Sequence, residues 1–461
     1  MQKQKNNFQA YSQVFIASKY ADSKKIYAKR RHDLMQKLDS FCVFAGMQVE
    51  PGCEEPFVQT WTKMVQEPAF LYLTGVNQAG CYLVLDPSTS KETLFVPVKN
   101  PFKEFWVGKR IGYTKGNSEV SRLTGIADVR PVDALWDYIA TLASRNSRQK
   151  NKPKHAYAYF FETVKDDHNY KLKVALQKKV RPFGLSVKSC EMQHFENRLV
   201  LEDYRVKEAC EAQKVTDKAF RKVLASMKTF KNERDLMLLL NYEMQKASDG
   251  DLAFPTICAG GANACCLHYV KNDEPLRAGE LVLLDFGVRI GTLHSDISRT
   301  VPMNGKFDPL QALLYQIVLD AGEEYRKAVK PGVSLKEIGN IPWEFIMEAL
   351  DTRLVRAHSG KFELLYDKRP HGVSHFIGEQ IHEGNPGSRS LDTVLRPGML
   401  ISCEPGLYGE FSGIFNGKRL SAKIGIRIED DLLITKTGSR NISSSIPKSV
   451  EELERLMRPA R

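Results

Sequence analysis

The spacing of apolar positions divides the chain into two halves. In the first, strands alternate with helices; in the second, long helices precede short strands. From Tyr27 the run YAKRRHDLMQKLDSF carries Leu34, Leu38 and Phe41 at helical intervals, which predicts an amphipathic helix. Four apolar runs follow, FCVFAG, AFLYLTG, CYLVLD and TLFVPV, each ended by Gly, Pro or Asp, and read as strands. PVDALWDYIATLAS reads as a helix. The alternation predicts an α/β domain over residues 27–190, preceded by a polar Lys/Gln-rich extension over 1–26. RNSRQKNKPK (145–154) reads as an exposed basic loop within that domain. The helical patterns 199–227 and NERDLMLLLNYEMQKAS open a second domain, 191–461. Two domains suit 461 residues, too many for one ordinary core.

Short strands from Phe254 onward carry nearly every residue with chemical potential. In LVLLDFGVRIGTLHSDISRTV (281–301), a two-residue turn at Ile290-Gly291 would set Asp285 directly opposite Asp296. Their Cβ atoms would then lie about 4.5–5.5 Å apart. Carboxylates that close repel unless a cation sits between them; the bland alternative is a different turn with both aspartates in water. In AKIGIRIEDDLLIT, Ile424, Ile426 and Ile428 share one strand face, and Gly425, Arg427 and Glu429 the other. Glu404 ends the apolar run MLISCEPG, where Pro405-Gly406 turn the chain. HGVSHFIGEQIHEG places His371, His375 and His382 among small residues, in a chain with ten histidines. His268, after GGANACCL, is a further candidate. His294, two residues before Asp296, faces the same side and reads as a support or a strand filler.

Composition narrows the partners. A net charge of +12 comes without zinc-finger spacing, an RNP-like aromatic pattern or a basic recognition helix, so no nucleic acid is expected. No apolar run approaches the roughly 18 residues of a membrane helix, and none is expected to enter a bilayer. MQKQKNNFQAYSQ lacks the apolar core of a signal peptide. The nine cysteines include no CxxC pair, and Cys258, Cys265 and Cys266 read as buried reduced thiols, which favours the cytoplasm.

With these residues assembled, the chain resembles the pita-bread metallopeptidases, most closely the aminopeptidase P (Xaa-Pro aminopeptidase) group. FPTICAGGANACCLHY, LVLLDFG with SDISRT, HGVSHFIGEQIHE, LRPGMLISCEPGLY and IGIRIEDDLLIT stand in the family's order. YLTG (72–75) and the Trp106/Gly108 region resemble its smaller N-terminal domain. The resemblance implies a catalytic domain built on a curved antiparallel sheet covered by helices, preceded by a smaller creatinase-like α/β domain. It implies Asp285, Asp296, His375, Glu404 and Glu429 as ligands of two divalent ions, manganese before cobalt, iron or zinc. Glu404 also becomes the proton shuttle, His268, His371 and His382 face the substrate, and Arg427 joins the substrate-binding set. The implied activity is hydrolysis of the N-terminal Xaa-Pro bond of peptides through a metal-bridging water or hydroxide, in a homodimer or homotetramer. Departures bear on substrate preference and subunit contacts: MVQEPAF replaces an Arg-containing acidic segment, Leu293 an aromatic and Phe286 a small residue. EFSGIFNGKRLSAK (410–423) receives no role. A prolidase-type dipeptidase shares all five ligands, and a metal-free binding protein of the same fold is the alternative from another class.

Overall fold

The structure is a computed structural model that describes residues 11, 14–48, 66–116, 118–149, 153–165, 167–248, 251–358, 360–366, 369–384 and 388–458. It divides into two compact units, Met1–Arg198 and Leu199–Arg461.

The first unit is built on β1 (Cys42–Ala45), β2 (Tyr82–Asp86), β3 (Lys91–Val96), β4 (Asp128–Pro131), β5 (His155–Ala158) and β6 (Ser186–Ser189). They form one mixed sheet in the order β4-β3-β2-β1-β5-β6. The alternation of side chains along a strand creates its two cores. Cys42 and Phe44 of β1 point to one, with Tyr27 and Leu34 of α1 (Ser23–Met35) and Phe70 and Leu73 of α2 (Pro68–Thr74). Val43 and Ala45 point to the other. Leu135, Ile139 and Leu142 of α3 (Leu135–Ser147) and Leu172, Leu176 and Val180 of α4 (His168–Val180) complete it.

Three expectations change here. AFLYLTG is α2, not a strand: Glu67 caps it by accepting from Phe70 N, Pro68 opens its first turn and Gly75 closes it in the left-handed conformation. These start and stop signals outweigh an apolar run whose periodicity is ambiguous at seven residues. The helix expected from Tyr27 runs over Ser23–Met35, so Leu38 lies beyond it, and Phe41 packs in the core on the opposite sheet face. Arg145–Ser147 belong to α3 rather than to a loop, and Arg145 grips Asp86 with two bonds of 2.8 and 2.9 Å; residues 150–152 lie outside the described set. Before α1, Tyr11, Val14 and Phe15 are buried in the first core, whereas residues 1–10 of the expected extension lie outside the described residues.

In the second unit every pairing between strands is antiparallel. Helices α5 (Asp203–Ser226) and α6 (Glu233–Ala247) precede β7 (Ile257–Gly260), β8 (Leu281–Phe286), β9 (Arg289–Ile290), β10 (Leu293–His294) and β11 (Ile297–Pro302). Helices α7 (Pro309–Ala328) and α8 (Ile341–Ala349) follow. Then come β12 (Gly360–Leu364), β13 (Leu400–Cys403), β14 (Gly406–Phe415), β15 (Lys418–Arg427), β16 (Asp430–Ile434) and β17 (Ser439–Asn441). Helix α5 covers β9 and β10, α6 packs on β7, and α7 on β13 to β15. The segment 410–423, which had no assigned role, is a long β14–β15 hairpin turning at Asn416-Gly417, both with positive φ. That dipeptide is a strong hairpin signal.

The turn between β9 and β10 falls on Gly291-Thr292, one residue later than expected. Its first position takes φ +62°, which Gly291 adopts without strain and the β-branched Ile290 would not. Asp285 therefore pairs with Ser298, and Asp296 sits diagonally from it rather than opposite. A two-residue slip keeps each side chain on its face, so both aspartates still point the same way. Gly287 makes this close approach possible: a Cβ there would stand 1.9 Å from the Ser295 carbonyl oxygen. Gly287→Ala should therefore cost about 1–3 kcal/mol through overpacking against a backbone that cannot yield. A shift of the urea unfolding midpoint reads this directly; an unshifted midpoint would show that the strands can separate freely.

Candidate metal centre

The five acidic and imidazole residues singled out in the sequence converge, each delivered by a different stretch of backbone. Asp285 lies on β8 and Asp296 just before β11; Glu404 follows β13, and Glu429 joins β15 to β16. His375 is carried by a loop strand that runs beside β13, held by Ser402 N donating to His375 O and Glu404 N to Val373 O, both at 2.9 Å. One ligand atom from each of Asp285, Asp296 and Glu429 lies within 4.8 Å of the other two. The same holds for His375, Glu404 and Glu429, and for Asp296, His375 and His382. Asp296, His375 and Glu429 belong to two triplets each, so the three triplets join into one cluster.

The site's supports lie mostly outside the expected set. Arg427, on β15, is buried and fully committed. It donates to Asp285 Oδ2 at 2.6 Å, to the Tyr408 hydroxyl at 3.1 Å and to Ser298 Oγ at 2.8 Å. Its described bonds all go into the wall of the site. Ser298 in turn donates to Glu429 Oε2 at 2.8 Å, and Ser402 to Glu404 Oε1 at 3.3 Å. Asp431 accepts from the Asp296 backbone N–H at 3.1 Å and from the Gln213 side chain. Tyr408 and Asp431 sat in quoted motifs, LISCEPGLY and RIEDD, but only a register could show that they reach the cluster. Gln213, on α5, carried no signal at all.

The histidines take distinct places. His371 is partly buried, with Nδ1 2.7 Å from Gly372 O and Nε2 3.1 Å from the Tyr408 hydroxyl. One tautomer satisfies both contacts, with Nδ1–H donating to the carbonyl and Nε2 accepting from the phenol. His382 is exposed and sets its ring 4.4 Å, centre to centre, from that of His375. His268 is exposed in the turn after Cys266, within electrostatic reach of His371 and His382. His294 is buried and bonds the Gly378 carbonyl at 2.9 Å, supporting the histidine-bearing loop. Cys258 and Cys265 are buried as expected, whereas Cys266, the residue after a short 3₁₀ turn, is exposed.

Electrostatics show what the cluster lacks. Burial pushes the Glu404 carboxyl up to about 7, with His375 pulling the other way. Burial and then Asp296 and Glu404 raise Glu429 well above the ordinary carboxylate range. For His375, burial opposes the charged ring, but Asp296 and Glu404 prevail and push it up to about 9. Protons are being drawn to positions where cations would neutralise the same charge. Asp285 Oδ1 and His375 Nε2 are also buried without a hydrogen-bond partner. His375 Nε2 stands 3.4 Å from both Asp296 Oδ2 and Glu404 Oε1. Four carboxylates, one imidazole and two orphaned lone pairs fit a pair of divalent cations, and an oxygen-rich set suits hard metals such as manganese.

Fold and site together define a metallopeptidase. Residues 207–436 match the family described as "Metallopeptidase family M24", and residues 27–150 match "Aminopeptidase P, N-terminal domain". Xaa-Pro aminopeptidase 3 of Rattus norvegicus is 31% identical over 405 residues, covering 85% of this chain and 76% of the relative. Xaa-Pro aminopeptidase of Escherichia coli is 27% identical, covering 95% and 99%. The structure of aminopeptidase P from E. coli with the inhibitor Pro-Leu superposes with a TM-score of 0.77 at 25% identity, covering 95% of this chain and 98% of that one. The chain belongs to the M24 metallopeptidases, in the branch with an aminopeptidase P N-terminal domain, and its catalytic unit has the pita-bread fold.

The raised groups fix the pH behaviour of the metal-free protein. Glu404 and His375 both bind protons more tightly folded than unfolded, so their contribution to stability falls as pH rises from about 4.5 towards about 9. A divalent cation that displaces those protons should add about 2.7 kcal/mol at a hundredfold excess over its Kd. The gain should grow with pH over that window. Thermal unfolding with chelator or with Mn²⁺, compared between about pH 5 and 8, reads the gap; a gap that is absent or narrows with pH contradicts the assignment.

Proposed function

We propose that this protein is a dinuclear-metal aminopeptidase that hydrolyses the bond between an N-terminal residue and a following proline. One observation carries the reading: ligand atoms of Asp285, Asp296, His375, Glu404 and Glu429 form overlapping triplets within 4.8 Å in one partly buried cluster. These residues would hold two divalent cations, Mn²⁺ in the first instance. When bound, the ions supply Lewis acidity and bring the pKa of water towards neutrality.

The chain's own residues supply the rest. Glu404, a member of the carboxylate cluster, is placed to accept a proton from the attacking water and pass it to the leaving nitrogen. His382 and His268, both exposed beside the cluster, are placed to orient the scissile carbonyl and steady the oxygen as charge builds on it. His371, kept neutral by burial, which lowers it to about 4, lines the proline side. Arg427 and Ser298 hold Asp285 and Glu429 at fixed spacing. An Xaa-Pro bond has no N–H, so a protease that reads that hydrogen loses a contact. A site that works through charge and shape does not need it.

The first unit leaves Phe102, Phe105 and Trp106 at 70%, 81% and 70% exposure on one seven-residue helix. This patch supports the expected homodimer or homotetramer, since exposed aromatic clusters mark association surfaces. Phe105→Glu should lower the mass measured by light scattering; a mass unchanged by it, or a wild-type monomer, argues against the assembly. Among the described residues no helix is long and apolar enough to cross a membrane. The described cysteines are unbridged, which supports a reducing compartment such as the cytoplasm.

With Mn²⁺ present, peptides beginning Xaa-Pro-Xaa should be cleaved and Met-Ala peptides should not. Turnover of Xaa-Pro dipeptides alone would favour the prolidase reading. Glu404→Gln should reduce kcat by about 10²–10⁴-fold with the circular dichroism unchanged. Retained turnover would remove Glu404 from its role.

A further inference from the structure

The stretch between β7 and β8 carries His268 at an exposed turn, and one buried carboxylate organises it. Glu233 opens α6 and is 0% exposed. Its Oε1 accepts from Gly260 N at 2.7 Å and from Asn263 Nδ2 at 2.9 Å. Its Oε2 accepts from the Tyr269 hydroxyl at 2.8 Å and from Glu274 N at 3.0 Å. These bonds take up the roughly four lone-pair directions of a carboxylate, which offsets the cost of burying its charge. An amide in its place would turn an NH₂ group towards N–H donors and leave a buried donor unmatched. The donors bracket His268: Gly260 and Asn263 precede it, Tyr269 adjoins it and Glu274 follows.

Other contacts hold the stretch as a whole. Tyr366 donates its hydroxyl to Cys265 O at 2.7 Å, and Asn272 Oδ1 accepts from Cys258 N at 2.7 Å. Leu267 and Tyr269 pack against the core of Ile257, Ala259 and Leu283, while His268 between them is exposed. What Glu233 adds is a fixed end for the Tyr269 side chain, one residue from the imidazole. We propose that Glu233 is a positioning residue for the peptidase reaction: by gripping Tyr269 and the backbone on either side of it, Glu233 sets where the His268 imidazole stands. The inference rests on the aminopeptidase reading, which gives His268 its place at the scissile carbonyl. His268 lies within electrostatic reach of His371 and His382, so a shift of its turn moves it relative to both. A displacement of about 1 Å in such a group costs up to about 10²-fold in rate.

The test is steady-state kinetics on the full chain with Mn²⁺ and Ala-Pro-Ala peptide, arranged as a double-mutant cycle. His268→Ala should lower kcat by about 10²-fold, as loss of a group that steadies charge on the carbonyl oxygen does. Tyr269→Phe keeps the ring in its packing and removes the hydroxyl; it should lower kcat by about 10-fold with KM little changed. Glu233→Gln should lower kcat by about 10- to 100-fold. In the His268→Ala background each of these two changes should cost less than about twofold, because the group being positioned is gone. The Mn²⁺ affinity measured by calorimetry should match the wild type in every variant. A merely structural role predicts the full losses again in the His268→Ala background, and that result overturns the proposal. So does a wild-type kcat in Tyr269→Phe or in His268→Ala, or a loss of Mn²⁺ affinity that accounts for the lost rate. If Glu233→Gln fails to fold, the cycle of Tyr269→Phe with His268→Ala decides. Each of these failures leaves Xaa-Pro cleavage by the wild type standing. A wild type that cuts Met-Ala peptides and no Xaa-Pro peptide removes the aminopeptidase reading and this inference with it.

Discussion

Placing four carboxylates in one half-buried cluster is the constraint to which the rest of the catalytic unit answers. Two like charges 4 Å apart repel by about 4 kcal/mol at an effective dielectric of 20. Burial adds a desolvation cost to each. Free Asp285, Asp296, Glu404 and Glu429 would push their backbones apart, so each is tied to a strand through bonds that leave at least one oxygen facing inward. Arg427 and Ser298 hold Asp285 and Glu429, Ser402 holds Glu404, and Asp431 grips the Asp296 backbone. Arg427 relieves part of that repulsion, and the raised Glu404 and Glu429 show that the rest draws protons into the cluster.

Much of this was legible in the chain because chemistry interrupts pattern. An aspartate inside LVLLDFG and a glutamate ending MLISCEPG break apolar runs that packing alone would have kept apolar. Three histidines within HGVSHFIGEQIHEG exceed what a structural role requires. Those interruptions drew attention to Asp285, Glu404 and His375, whereas Asp296 came from a hairpin register and Glu429 from a strand face. The same logic could not find Ser298, Ser402 or Gln213, since serine and glutamine are ordinary in strands and helices and only the fold brings them to a carboxylate. Tyr408 and Asp431 were visible but mute: their function lies in which strand stands next to theirs.

Where the reading of the chain failed, a local backbone preference had been passed over for an apolar pattern. Seven apolar-rich residues after Glu67-Pro68 form a helix because the cap and the proline set its first turn, and packing then accepts either form. The Ile290-Gly291 turn assumed that symmetry alone centres a hairpin. The positive φ demanded at its first position instead selects glycine and moves the turn by one residue. That error cost nothing at the site, because a strand tolerates a slip of two without changing which face carries the carboxylates. Asn416-Gly417 shows the reverse case: a turn signal sufficient to define a hairpin of two ten-residue strands lay unused inside a segment with no visible chemistry.

The β14–β15 hairpin has a consequence for the site. Its register sets Tyr408 opposite Gly425 and Gly406 opposite Arg427, so phenol and guanidinium come from adjacent strands and meet at 3.1 Å. From that contact one run of bonds goes through Arg427 to Asp285, and another through Tyr408 to His371. Carboxylate and imidazole are thus positioned by the same rigid pair of strands, although 86 residues separate them in the chain. Gly425 is required for this: a Cβ there would stand 2.4 Å from the Ala264 carbonyl oxygen, in the segment that leads to His268. The close approach lets one hairpin fix the distance between the carboxylate cluster and the segment that carries His268.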